Sequence, residues 1–178
     1  MIVSICGIKG SYAEIAALEM LGEGISLLYC NSFQSALDSV KNKRSDYAII
    51  PVKTSNSGYV SEVNELLSSG NWGVKQKFHL HTHHCLMAVK GQELNRIKSV
   101  YSHPKALQEC ELFLSKLNVS LRDFFNTAAS AKHVAENNLL NTAVIASKQA
   151  AQLYRLEILA ENIENNSDVT TFYTIVPR

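Results

Sequence analysis

No stretch of this 178-residue chain is rich in proline or glycine, no run of one charge sign occurs, and no apolar segment approaches membrane-spanning length. With 17 Lys and Arg against 16 Asp and Glu, the formal net charge of +1 gives no electrostatic footprint for nucleic acid or an anionic membrane. A small-molecule or protein partner is expected instead. The opening MIVSICGIKG has no basic lead and runs into Gly7 and Gly10. It therefore reads as neither a signal peptide nor a membrane span, and the cytoplasm is the expected location. Four cysteines, Cys6, Cys30, Cys85 and Cys110, lie far apart with no Cys-x-x-Cys pair, which suits buried reduced thiols rather than a zinc site or a disulfide framework.

What is present is an ordinary globular composition, 46% hydrophobic and 19% charged, enough to bury a core as one domain or two small lobes. Short apolar runs alternate with stretches of helical period almost to the end, an α/β pattern. Strands are predicted at Ile2–Cys6, Leu27–Tyr29, Tyr47–Val52, across Lys75–Val89 as one or two, and at Ile97–Tyr101, Leu121–Phe125, Thr142–Ala146 and Thr170–Val176. Between them, Ser11 to Glu14 forms a capping box ahead of a first helix, and Phe33, Ala36, Leu37 and Val40 mark a second behind Asn31 and Ser32. Further helices are predicted from Val60 to Leu67, stopped by Gly70, then Ala106–Leu117, Ala128–Glu136 and Lys148–Tyr154. The polar segment Ser68–Gly73 is the expected crossing between lobes.

In an open α/β sheet the ligand crevice lies beyond the carboxyl ends of the strands, where helix amino termini present free N–H groups. Here those ends carry Ser11, Lys53-Thr54-Ser55-Asn56-Ser57-Gly58, Ser102, Asn126-Thr127 and Ser147. Each hydroxyl or amide alone reads as a helix cap. Together, with Lys9 and Lys53 beside two of them, they would suit a small anionic metabolite. Gly7-x-x-Gly10 lacks the rest of a dinucleotide or P-loop signature, so no nucleotide cofactor is expected, and a tight turn accounts for it. His79, His81, His83 and His84 raise a metal question, but alternate strand residues spread over about 13 Å at strand rise cannot all reach one ion. An exposed or partly packed strand face is expected, with no metal.

YSHPKALQEC, NTAASAKHVAE, AVIASKQAAQLYRLEILAENIENNSDVTTF and PVKTSNSGYVSEVNELL together resemble the prephenate dehydratase domain, in the same order and over nearly the whole chain. The resemblance implies a two-lobed α/β fold like that of type II periplasmic binding proteins, with the site in a cleft between lobes. Lobe 1 would comprise residues 1–76 with the C-terminal segment 165–178 returning to it, and lobe 2 residues 77–164. It also implies conversion of prephenate, a small dianion, to phenylpyruvate with loss of water and carbon dioxide. No cofactor or metal would be needed, the chain would be a homodimer, and no regulatory domain would follow.

By the same resemblance Thr170, first in the position of a Thr-Arg-Phe motif, and Ser102, first in Ser-His-Pro, are the candidate catalytic residues. Lys53, Thr54, Ser55, Gly58, Asn126, Thr127, Thr171, Phe172, Ser11 and Glu109 are the candidate substrate-binding residues. The chain departs from the family pattern at several of them. Thr171 replaces the motif's arginine, Lys53-Thr54 stand where Glu-Asn is usual, Glu109 replaces a glutamine, Ile8 replaces a proline, and Lys77 stands near an expected glutamate at the crossing. Lys53 could restore part of the lost positive charge, without an arginine's bidentate geometry. Glu109 would repel a dianion unless protonated or paired with a group such as Lys53. Two alternatives follow: a non-aromatising prephenate decarboxylase, or a non-catalytic small-anion-binding protein on the same fold.

Overall fold

The computed structural model describes residues 1–70, 72–167 and 169–177. Contacts divide the chain into two units, residues 1–82 with 168–178, and residues 83–167.

In the first unit β1 (Ile2–Cys6), β2 (Ser26–Cys30), β3 (Tyr47–Thr54), β4 (Gly58–Tyr59), β5 (Gln76–His81) and β11 (Thr170–Pro177) form one mixed sheet of order β2-β1-β3-β11-β5, with β4 paired to β3. β1 runs parallel to β2 and β3, whereas β11 is antiparallel to both β3 and β5. Three helices accompany these strands: α1 (Tyr12–Leu21), α2 (Phe33–Lys41) and α3 (Ser61–Ser69). Sheet residues Val3, Ile5, Ile49, Tyr173 and Ile175 pack with Ala13, Ala16 and Ala17 of α1. A second cluster joins Leu37 and Val40 of α2 to Val63 of α3 and to Ala48, Ile50 and Val176 of the sheet. Fully burying a Val, Leu or Ile side chain contributes about 1.5–3 kcal/mol, so these two clusters hold the sheet between helices.

Helix starts follow local chemistry. Ser32 caps α2 in a reciprocal box with Ser35. At α1 the box is offset: Ser11 accepts from the Glu14 N–H at 3.4 Å, but the Glu14 carboxylate reaches back to the Gly10 N–H rather than to Ser11. Gly10 itself has φ +86°, a left-handed turn that glycine adopts without a Cβ penalty.

Two sequence expectations shift here. β3 runs two residues past Val52, so Lys53 and Thr54 lie in the sheet, because Tyr59 and Gly58 of β4 and Phe172 and Thr171 of β11 pair with them. The crossing lies at Thr82/His83, not at Ser68–Gly73, since β5 remains in the first sheet by pairing with β11 from Gln76 to His81. Lys77 accordingly sits within β5, exposed and opposite Thr174.

The second unit has its own sheet of order β10-β6-β9-β7-β8, built from β6 (Cys85–Ala88), β7 (Ser99–Ser102), β8 (Ser120–Asp123), β9 (Thr142–Ala146) and β10 (Glu157–Ala160). β9 is central and buried along its whole length. α6 (Thr127–Glu136) starts at Asn126, which accepts from the Ala129 N–H, and α7 (Lys148–Tyr154) starts at Ser147, which accepts from Ala150. The core joins Leu86, Ala88, Val100, Ala143 and Ile145 of the strands to Ala106, Leu107, Cys110 and Leu114.

The single helix expected over Ala106–Leu117 is broken into α4 (Pro104–Glu109) and α5 (Glu111–Leu114). Asn165 causes the break by occupying the helix's own bonding groups. Its N–H donates to the Glu109 carbonyl at 2.6 Å, its amide nitrogen to the Gln108 carbonyl, and its side-chain oxygen accepts the Leu112 N–H. β10, an edge strand whose three apolar residues are all half-buried, shows no strand alternation in sequence, and the left-handed cap at Arg155 (φ 58°) precedes it.

Candidate functional site

In the first unit, register brings residues from four strands into one row. Lys53 pairs with Tyr59 on one side and Phe172 on the other, and Phe172 pairs with His79. The Lys53 ammonium lies 5.5 Å from the Tyr59 ring centroid and 5.7 Å from that of Phe172. His79 meets Phe172 edge-on at 4.5 Å. A cation held over two rings is attracted by their π faces while its apolar stem packs beside them.

Next along the sheet, Thr170 pairs with His81, and the Thr170 hydroxyl lies 3.3 Å from His81 Nδ1. Ser55 fixes the start of β11 from the other flank: its hydroxyl accepts the Thr170 N–H at 3.0 Å, and its N–H donates to the Thr170 carbonyl at 2.9 Å. Thr171 has a different neighbour, the Thr82 hydroxyl at 3.3 Å, as strand alternation predicts for adjacent residues. Thr54 is buried and its hydroxyl accepts the Ser57 N–H at 3.2 Å, closing the turn that Gly58 completes at φ +72°. Lys53, Thr54, Ser55, Gly58, Thr170, Thr171 and Phe172 thus gather where β3, β4 and β11 meet. Ser11, buried, caps α1.

The remaining candidates belong to the second unit. Ser102 is 0% exposed and its hydroxyl donates to the Ile145 carbonyl at 2.7 Å. The Ser102 proton thus serves the pairing of β7 with β9. Asn126 and Thr127 are half-buried at the cap and first position of α6, with the Asn126 oxygen accepting the Ala129 N–H at 3.1 Å. Glu109 is paired within its own unit. Its partner is His84, whose Nε2 donates to Glu109 Oε2 at 3.0 Å, with the two side chains 3% and 10% exposed. Glu109 Oε1 is buried with no hydrogen-bond partner among the described residues.

The histidine tract divides in the same way. His79 and His81 are exposed strand residues, but His84 is 2% exposed, so the tract is not a single open face. His83 pairs with Glu164 at 2.9 Å, and the His84 N–H donates to the other Glu164 oxygen at 2.9 Å. Burial pushes the Glu164 carboxyl up, but these two hydrogen bonds, with its own backbone N–H and the His83 charge, outweigh it and hold its pKa below the usual carboxylate value. Among the described residues no group of three His, Cys, Asp or Glu is arranged to hold a metal ion. All four cysteines are free; burial raises the Cys110 and Cys85 thiols and pushes Cys6 to about 11. His103, whose Nδ1 accepts the Lys105 N–H at the start of α4, is lowered by burial and by the Lys105 charge. No helix among the described residues is long and apolar enough to cross a membrane.

Tyr59, His79, His81, His84 and Glu164 were not among the residues singled out for the site. The alternate histidines of KFHLHTHHC were visible as a strand face, but their partners Thr170 and Phe172 are about ninety residues away, beyond the reach of any local pattern.

An ABC transporter protein from Parabacteroides distasonis matches over 98% of this chain and 65% of its own with a TM-score of 0.53 at 14% identity, a likeness of fold alone. The finer relationship is plain in sequence: the prephenate dehydratase family model matches residues 3–178, and the chain belongs to that family. It is 32% identical over 179 residues to a bifunctional chorismate mutase/prephenate dehydratase of Buchnera aphidicola subsp. Schizaphis graminum, covering 98% of this chain and 46% of that protein. It is 36% identical to arogenate dehydratase 1 of Petunia hybrida, covering 97% of this chain and 41% of that protein. The chain therefore spans less than half the length of these curated relatives. The crystal structure of prephenate dehydratase from Arthrobacter aurescens, in complex with L-Phe, matches with a TM-score of 0.92 at 26% identity, over 100% of this chain and 60% of that one.

Proposed function

We propose that this chain carries out its family's dehydratase reaction, converting prephenate to phenylpyruvate with loss of water and carbon dioxide. Support comes from one constellation: a threonine hydroxyl, Thr170, stands one row from a lysine held between two rings, on a sheet end that Ser55 anchors. The reaction needs both of these groups, the hydroxyl and the cation. Aromatisation supplies the driving force, a hydroxyl donor assists the ring oxygen as it leaves, and a cation holds a substrate carboxylate. Lys53 offers a point charge on the sheet face of Thr170 and Phe172, whereas Thr171, where the family motif carries an arginine, turns to the other face, so the carboxylate contact proposed here is a lysine's monodentate one. Phe172 and Tyr59 offer apolar surface beside that charge.

The test is turnover. Purified protein is incubated with prephenate at neutral pH while prephenate loss and phenylpyruvate formation are followed together, with arogenate in a parallel reaction. Phenylpyruvate above the uncatalysed rate, or phenylalanine from arogenate, is the expected result. Prephenate loss without phenylpyruvate would instead identify a non-aromatising decarboxylation, and no loss of either substrate would leave a binding role.

A further inference from the structure

The proposed reaction consumes a proton, because the ring C–O bond releases hydroxide and water departs only when that oxygen is protonated. A threonine hydroxyl that gave up its proton with no resupply would be left as an alkoxide, an unstable end point in neutral water. Thr170 has a neighbour able to prevent this. His81 is its direct cross-strand partner, with Nδ1 3.3 Å from the hydroxyl oxygen, and the Thr170 backbone is clamped by two hydrogen bonds to Ser55. The hydroxyl is thus fixed at its base and faces an imidazole that is itself exposed to solvent.

Resting on the dehydratase reading, we infer that His81 is a positioning residue that aims the Thr170 hydroxyl at the leaving oxygen and returns a proton to it. The balance is complete. The imidazolium Nδ1–H bond breaks as a new Oγ1–H bond forms, while the original Oγ1–H proton joins the leaving oxygen to make water. The ring C–O pair leaves with that oxygen, the pair of the ring-to-carboxylate bond becomes ring π-bonding, and carbon dioxide departs. Neutral His81 then takes a proton from solvent. The groups facing His81 are Thr170 from β11 and, one row back along β5, His79, with Phe172 and the Lys53 ammonium beyond it. The relay gives one histidine of the tract, His81, a chemical role.

The experiment compares wild type, His81→Ala and Thr170→Val. In His81→Ala, kcat for prephenate is expected to fall roughly 10²-fold with KM little changed, the size typical of losing acid–base assistance. Added imidazole should restore turnover in proportion to its concentration. Independently of turnover, nitrogen NMR of histidine-labelled protein should show the His81 Nδ1 resonance moving in Thr170→Val. Unchanged kcat in His81→Ala with an active wild type overturns the role of His81 and leaves the dehydratase reading standing. A loss of kcat that imidazole does not restore, with no Nδ1 response to Thr170→Val, also overturns it as merely structural. A wild type inactive on both prephenate and arogenate overturns the dehydratase reading and the relay together.

Discussion

The buried His84–Glu109 pair can be tested by removing either partner. The two side chains are 3% and 10% exposed and joined by one 3.0 Å hydrogen bond, and Glu109 Oε1 has no partner among the described residues. A carboxylate only accepts, so His84 Nε2 carries the proton. His84→Ala leaves a buried carboxylate without its donor and opens a cavity, whereas the His84 backbone N–H bond to Glu164 survives. Breaking a buried pair in this way costs about 3–5 kcal/mol. For a chain of this size each kcal/mol moves Tm by roughly 2–4 °C, so a fall of about 6–20 °C is expected. Glu109→Gln differs in kind. Its amide oxygen can still accept from Nε2, the hydrogen bond loses its charge assistance, and the cost of burying a charge disappears, leaving a net change within about 1 kcal/mol. Urea unfolding by far-UV circular dichroism measures both, and native-state hydrogen exchange of the β6 and α4 amides assigns the loss to the second unit. A cost under about 1 kcal/mol for His84→Ala, or a Glu109→Gln protein as damaged as His84→Ala, would show that the pair does not hold the second unit together.

Thr170→Ala is expected to lower kcat/KM for prephenate by roughly 10²–10⁴ with stability within about 1 kcal/mol, and retained turnover would remove Thr170 from the mechanism. Lys53→Met should raise the KM for prephenate roughly tenfold while Lys53→Arg keeps it low, a loss of about 1.4 kcal/mol of carboxylate binding; equal KM values in all three proteins would show that Lys53 does not hold the substrate. Glu164 has a folded pKa below its unfolded one, so its stabilising contribution is present above about pH 4.3 and disappears as pH falls through the folded value. Glu164→Gln should therefore flatten the acid limb of the stability curve, and an unchanged slope would contradict the pairing. Ser102→Ala removes the 2.7 Å bond to Ile145 and should cost about 1–2 kcal/mol with KM unaltered; a raised KM at full stability would return Ser102 to the substrate.

Wherever one segment carried its own instructions, reading and structure coincide. Ile2–Cys6, Thr142–Ala146 and Lys148–Tyr154 match residue for residue, and Phe33 through Lys41 forms the helix that its spacing and Ser32 specify. The ordered motifs were enough to identify the family. Of the candidate residues, Lys53, Ser55, Gly58, Thr170 and Phe172 meet in the first unit, while in the second Ser102 bonds the Ile145 carbonyl and Glu109 bonds His84, partners no local pattern announced.

Hydrophobic period, helix caps and turn glycines act over about four residues, and the sequence by itself determined whatever depended on them. Tertiary structure alone decided the rest. β3 gains Lys53 and Thr54 because β4 and β11 arrive to pair with them. The helix after His103 breaks because Asn165 takes its carbonyls, and the carboxylate at 109 finds His84, twenty-five residues away. His81 acquires Thr170 because β11 inserts beside β5. Each of these depends on a partner distant in sequence, whose approach is stabilised by the burial of a whole sheet rather than by any preference of the residues that finally touch.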